Sequence, residues 1–225
     1  MSDITIGAER IEIGAMVTQH DIIGNAALTA AAPILREAAL QISDPQVRYM
    51  GTVGGNIANG DPGNDMPGLM QCLDATFSVF GADGTRNIAA RDFYEAAYVT
   101  AREDDEVLTH VTIPMPNGGF AYEKQKRKIG DYATAAAAVQ ITKEGGRCTS
   151  ASVAMTNLSD TPVFSTAAGG SLVGTMVDDG ALKAAVAAML GDIDPTEDNR
   201  GPVAFKNHVA GSILRRAIER AWSRT

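Results

Sequence analysis

A chain of 225 residues with 45% hydrophobic content can build one large domain or two modest ones around a substantial core. A formal charge of -8 and an isoelectric point near 4.9 speak against a nucleic-acid surface, which needs concentrated Lys and Arg, and leave small molecules or proteins as ligands. Cys72 and Cys148 stand far apart without CxxC spacing, which excludes a disulfide framework and any zinc or iron–sulfur site held by this chain alone.

No stretch of roughly 18 apolar residues runs uninterrupted, and the acidic start Met1-Ser2-Asp3 lacks a basic lead into an apolar segment. The cytoplasm is the expected location. Alternation at residues 4–6 and 10–13, around the turn-like Gly7-Ala8-Glu9, predicts two short strands. Thr18 or Asp21 is positioned to cap a short helix. Residues 26–42 carry Leu28, Ile34, Leu35, Ala38 and Ala39 at roughly helical spacing, with Pro33 expected to bend or split the run. Residues 51–68, dense in Gly, Pro and Asn, read as a long structured loop or loop pair, followed by a helix on which Met66, Leu69, Met70 and Leu73 share a face. Strands are expected at 75–80 and 107–113, with a turn at Asp83-Gly84 after the first.

Two prolines, an asparagine and two glycines between Pro114 and Gly119 punctuate the chain more firmly than anything later, dividing it into domains at 1–117 and 118–225. Beyond them come three strand-like stretches at 120–128, 133–142 and 147–155, the last two joined as a hairpin through Glu144-Gly145-Gly146. The alanine run Ala135 to Ala138 suits a buried strand with close neighbours. Helices are expected at 181–190 and 203–222. The whole reads as α+β.

Thr52-Val53-Gly54-Gly55-Asn56 is the most suggestive cofactor segment. Adjacent glycines let backbone N–H groups converge on an anion such as a diphosphate, although a glycine pair more often marks only a tight turn. Asp65 could accept from ribose hydroxyls at a helix entry, or simply cap that helix. Neither GxGxxG nor GxxxxGK[ST] is present, so nicotinamide and ATP chemistry lose their usual support. Lys124, Lys126 and Lys128 alternate along an expected strand and share a face. That face is either a solvated, edge-protecting strip or one aimed at a cofactor or an acidic partner. Tyr132, after Gly130, could cover a flat heterocycle or be an ordinary packing tyrosine. His20, His110 and His208 are scattered without metal-ligand spacing, and Arg215, Arg216, Arg220 and Arg224 are expected on a solvated or partner-facing helix surface. No residue is assigned as a catalyst or metal ligand.

The segment Arg48-Tyr49-Met50-Gly51-Thr52-Val53-Gly54-Gly55-Asn56-Ile57-Ala58-Asn59-Gly60-Asp61-Pro62-Gly63-Asn64-Asp65-Met66-Pro67 resembles the second FAD-binding loop of the medium subunits of aerobic carbon monoxide dehydrogenases, flavoproteins of the molybdenum-hydroxylase family. Lys126-Arg127-Lys128-Ile129-Gly130-Asp131-Tyr132-Ala133-Thr134-Ala135-Ala136 resembles the flavin-facing segment of the same subunits. The resemblance implies an FAD-binding α/β subdomain followed by a C-terminal three-stranded antiparallel sheet with a helical bundle. It implies that Thr52, Val53, Gly54, Gly55 and Asn56 contact the FAD diphosphate, that Asp65, Leu108 and Lys124 line the flavin site, and that Tyr132 lies at the isoalloxazine ring. It further implies an iron–sulfur small subunit with [2Fe-2S] clusters, a large subunit with the molybdenum cofactor, a dimer of such heterotrimers, a quinone or other electron acceptor, and a place in the cytoplasm or at the inner face of the membrane. Members of the family carry an additional N-terminal FAD-binding subdomain that this sequence is not expected to contain. A flavin-free scaffold subunit is therefore the rival expectation.

Overall fold

The computed structural model describes residues 1–225. Two antiparallel strands, β1 (Ile4–Ile6) and β2 (Arg10–Gly14), open the chain. The two candidate caps of the next helix, α1 (Gln19–Gly24), act together. The Thr18 hydroxyl accepts from the Asp21 N–H, and the Asp21 carboxylate accepts from the Thr18 N–H and hydroxyl, closing a capping box. Pro33 splits rather than bends the following run into α2 (Ala26–Ala31) and α3 (Pro33–Gln41). It occupies the first turn of α3, where its missing N–H costs nothing. The next helix, α4 (Pro45–Met50), is capped by Asp44.

The expected loop at 51–68 is a correction: it holds a further helix, α5 (Val53–Ala58), and the start of α6 (Asp65–Cys72). Glycine density concealed α5, because glycine is a poor helix former in isolation. Here Gly54 is required for a different reason: a Cβ on it would lie 2.4 Å from the Ala15 Cβ and 2.8 Å from the Ala15 carbonyl oxygen. Every residue of α6 is buried.

The chain then forms β3 (Thr76–Gly81), β4 (Gly84–Ala89), a two-strand ribbon of β5 (Tyr94–Ala96) and β6 (Val99–Thr100), and β7 (Val107–Pro114). The first sheet has the order β1-β2-β7-β3-β4, antiparallel throughout, and shares one apolar cluster with α1, α2, α3, α5 and α6.

After Pro114 the chain starts a second antiparallel sheet from β8 (Gly119–Gln125), β9 (Ala135–Glu144), β10 (Arg147–Thr156) and a two-residue edge strand, β11 (Val163–Phe164), in the order β11-β10-β9-β8. Three long strands thus appear as expected, with β11 added at the rim. Gly145 and Gly146, with φ of 57° and 79°, make the two-residue turn between β9 and β10. Three helices, α7 (Thr166–Leu172), α8 (Asp179–Asp192) and α9 (Val203–Trp222), close the chain.

Both faces of the second sheet are covered, which explains the alanine run. Ala136 and Ala138 join the apolar cluster of the first sheet and its helices, while Ala135 and Ala137 join the cluster with α7, α8 and α9. A methyl group is all that fits where elements close in from both sides.

Candidate cofactor cleft

A cleft of about 230 Å³ lies between the helices of the N-terminal half and β8 with the loop that follows it, walled by Ile42, Val47, Asn56, Asp65, Lys124 and Tyr132 among others. Tyr122 and Lys124 alternate on β8 and so reach the same side, where the Tyr122 hydroxyl donates to Asp65 Oδ1 at 2.5 Å and Lys124 Nζ donates to Asp65 Oδ2 at 2.8 Å. The Lys124 and Asp65 side chains are only 1% and 6% exposed. Burial and the Asp65 charge push the Tyr122 hydroxyl well above the usual phenol range, which keeps it a donor. Lys124 Nζ and Lys126 Nζ both donate to the Gln41 carbonyl, and Lys126 also reaches the Gln41 side chain at 2.9 Å. Burial, and then the neighbouring Lys124 charge, lower the Lys126 pKa. Lys124 on β8 and Lys126 just past its end therefore share a face as expected, both directed at Gln41 at the end of α3, and Lys124 also lines the cleft. Lys128, further along the loop, is exposed.

Asp65 is not a cap: it sits in the first turn of α6, after the N-cap Asn64. The side chain that serves α6 is Asn56, whose Oδ1 accepts from the Met66 N–H at 3.1 Å, while Asn64 Nδ2 donates to the Asn56 carbonyl at 2.8 Å. Asn56 thereby ties α5 to α6 and fixes where Asp65 stands.

The glycine pair requires a second correction, because it is neither an open anion nest nor a tight turn. Thr52 caps α5, and the N–H groups of Val53, Gly54 and Gly55 donate to the Val17 carbonyl, the Ala15 carbonyl and the Thr52 hydroxyl. Of Thr52 to Asn56, only Asn56 lines the cleft, and Gly55 is the most exposed of the others. Leu108 is buried on β7, in the core of the first sheet, and does not line the cleft.

Tyr132 is 47% exposed at the opposite wall, at the end of a loop pinned by Arg127 Nε to Asp131 Oδ2 at 2.9 Å. The Arg127 hydrogen bond and charge hold the Asp131 carboxyl below its ordinary range. Gly63 makes room for the Tyr132 ring, since a Cβ there would lie 2.8 Å from Cδ1. The arginines of α9 lie on a solvated helix surface as expected, Arg215 and Arg216 among them. Arg220 and Arg224 also do more: Arg220 bridges Glu123 and Glu37 at 2.7 and 2.9 Å and Arg224 reaches Glu37, so this half-exposed pair ties α9 to β8 and α3.

A polar cleft between the second sheet and the helices of the N-terminal half, with a buried Lys–Asp–Tyr cluster and a half-exposed aromatic in or beside its lining, is the arrangement of an α+β protein with a small-molecule site at the junction of its two halves. Residues 1–116 match the family model described as the FAD binding domain in molybdopterin dehydrogenase, and residues 120–221 match that of the CO dehydrogenase flavoprotein C-terminal domain. The carbon monoxide dehydrogenase medium chain of Afipia carboxidovorans is 55% identical over 95% of this chain and 75% of its own length; that of Hydrogenophaga pseudoflava is 39% identical over the same shares. The solved structure of reconstituted CO dehydrogenase from Oligotropha carboxidovorans superposes with a TM-score of 0.98 at 54% identity, covering 99% of this chain and 79% of that one. The chain belongs to the FAD-binding medium-subunit family of carbon monoxide dehydrogenase-like molybdenum hydroxylases, a family of oxidoreductase subunits. No helix is long and apolar enough to cross a membrane.

Proposed function

We propose that this chain binds FAD in the cleft between its N-terminal helices and β8 and passes electrons from an iron–sulfur subunit through that flavin to a quinone or other acceptor. The observation that carries the reading is the Asp65–Tyr122–Lys124 cluster facing Tyr132 across the cleft. Bound FAD would supply two-electron redox chemistry that no side chain here can provide.

The residues present fit that group in kind. The Asp65 carboxylate, held by two donors, keeps lone pairs free for a hydroxyl or imide N–H. Lys124 is the matching donor for a carbonyl, and the Tyr132 ring would cover a flat heterocycle and keep water from it. Thr52, Val53, Gly54, Gly55 and Asn56 form the diphosphate end. There the exposed Gly55 N–H becomes available if the Thr52 hydroxyl turns away from it. Leu108 acts from below, since its strand β7 packs under α5.

In the wider assembly, the molybdenum cofactor sits on a large subunit and the [2Fe-2S] clusters on a small one, and two such heterotrimers pair. The complex works in the cytoplasm or at the inner face of the membrane. Within this chain, residues 1–117 and 118–225 are its two domains, with the cleft between them. A second reading, a scaffold subunit without flavin, draws on one observation: the first N–H groups of α5 already have partners within the chain. Titrating the purified chain with FAD separates the two. Saturable one-to-one binding that Gly55→Val abolishes is the expected result, and absence of binding by folded protein would favour the scaffold.

A further inference from the structure

Tyr122 stands beside the cofactor cleft but not in its lining. Its ring is buried in the apolar cluster of the N-terminal half, on a strand held in register opposite Ala138 of β9, and its own N–H donates to Glu37 at 3.3 Å. Packing fixes both ring torsions, so the hydroxyl is an anchored point aimed at Asp65 Oδ1. The other donor to Asp65, Lys124 Nζ, ends a flexible side chain and divides its hydrogen bonds between Asp65 Oδ2 and the Gln41 carbonyl.

Net stability does not account for this arrangement. Asp65 is not the cap of α6, whose first turn is served by Asn56. A buried ion pair gains little over apolar residues of the same volume, so a hydrophobic trio would fill the space equally well without burying charge. What the arrangement achieves is geometric. A carboxylate held at one oxygen pivots about its Cβ–Cγ bond, a torsion with only broad preferences; held at both oxygens by donors on two different side chains, its plane is fixed. One lone pair on each oxygen is then spent inside the protein, and the others keep a set direction. Asp65 and Lys124 line the cleft and Tyr122 does not, so any effect of Tyr122 on a ligand there passes through Asp65.

We propose that Tyr122 is a positioning residue for the cofactor: its hydroxyl fixes the plane of the Asp65 carboxylate so that the free lone pairs meet a hydroxyl or the imide N–H of bound FAD. The inference rests on the proposed function and adds to it a residue that never touches the flavin.

The test is fluorescence titration with FAD of purified wild type, Tyr122→Phe, Asp65→Asn and the double variant, at a temperature where circular dichroism shows each protein folded. Leu172→Ala, which opens a cavity in the other apolar cluster, is the control for lost stability alone. Tyr122→Phe should bind FAD about tenfold more weakly than wild type and Asp65→Asn about a hundredfold, the range for hydrogen bonds to a charged group. The double variant should match Asp65→Asn within about twofold, since the hydroxyl has nothing left to position, and Leu172→Ala should stay within about twofold of wild type. If Asp65→Asn does not fold, the contrast between Tyr122→Phe and Leu172→Ala decides alone. Unchanged affinity in Tyr122→Phe, an equal loss in Leu172→Ala, or a double variant weakened about a thousandfold, as independent effects would multiply, would overturn the role of Tyr122 and leave FAD binding in place. No binding by folded wild type would instead overturn the proposed function, and the positioning role with it.

Discussion

One strand, β8, feeds two polar clusters of opposite character. On one side Tyr122 and Lys124 meet Asp65 in a nearly dry environment. On the other side Glu123, between them in sequence, meets Arg220 of α9, which also reaches Glu37 of α3. The first cluster has one cation and one neutral donor, both bound to a single carboxylate. The second has several arginines sharing two carboxylates at a half-exposed surface, where water screens each pair. Both join β8 to the helices of the N-terminal half, yet they should respond very differently to the loss of one member. A buried ion left alone is expensive, whereas an exposed one is rehydrated.

The largest expected effect comes from breaking the dry cluster. Asp65→Leu strands Lys124 and should cost about 3–5 kcal/mol in urea unfolding at neutral pH; a loss below about 1 kcal/mol would mean that water reaches Lys124. Gly54→Val should come next, destabilising by about 1–3 kcal/mol, because the new side chain meets the Ala15 backbone and not a flexible neighbour. Tyr122→Phe should cost about 1.5–3 kcal/mol at neutral pH, the range for a hydrogen bond to a charged group.

That variant also sharpens the comparison through pH. The folded Tyr122 pKa lies above the unfolded value of 10.0, so its contribution is complete below pH 10 and is lost as pH rises toward the folded value. Wild type should therefore lose stability more steeply than Tyr122→Phe above pH 10, and parallel curves would refute the assignment. At the exposed cluster, Arg220→Ala should cost no more than about 1 kcal/mol, diminishing with added salt. The smallest effect is expected at Cys72. Burial pushes its thiol up to about 12, and it should resist iodoacetamide at pH 8 until the protein is unfolded.

What could be read from the sequence follows the range of the interactions involved. The Thr18–Asp21 cap, the Gly145-Gly146 turn and the alternating burial of Ala135 to Ala138 are local, and their residue types state them openly. Motif and resemblance point to Asp65, Lys124 and Tyr132, and these line one cleft. Tyr122 carries no such signal. Its role depends on β8 crossing the start of α6, a juxtaposition of residues 57 positions apart with no local signature beyond its i, i+2 relation to Lys124. The helix within 51–68 was hidden for a related reason: Gly54 answers to Ala15, far away in sequence, and its low intrinsic helix propensity is overridden by that contact. The sequence shows Arg220 and Arg224 as surface residues but not their ion pairs, because Glu37, their shared partner, lies in the other half of the chain.

The central claim is that the cleft between the N-terminal helices and β8, with Tyr132 at its wall, receives the flavin ring. Its most direct test is flavin fluorescence during FAD titration of wild type and Tyr132→Ala, with thermal unfolding of both as the control. Tyr132 is half-exposed, so the two proteins should unfold at nearly the same temperature. FAD emission should be strongly quenched on binding wild type and largely recovered on binding the variant, with affinity lowered about tenfold, or about 1.4 kcal/mol. Equal quenching and equal affinity in the two proteins would contradict the claim and move the flavin away from this cleft.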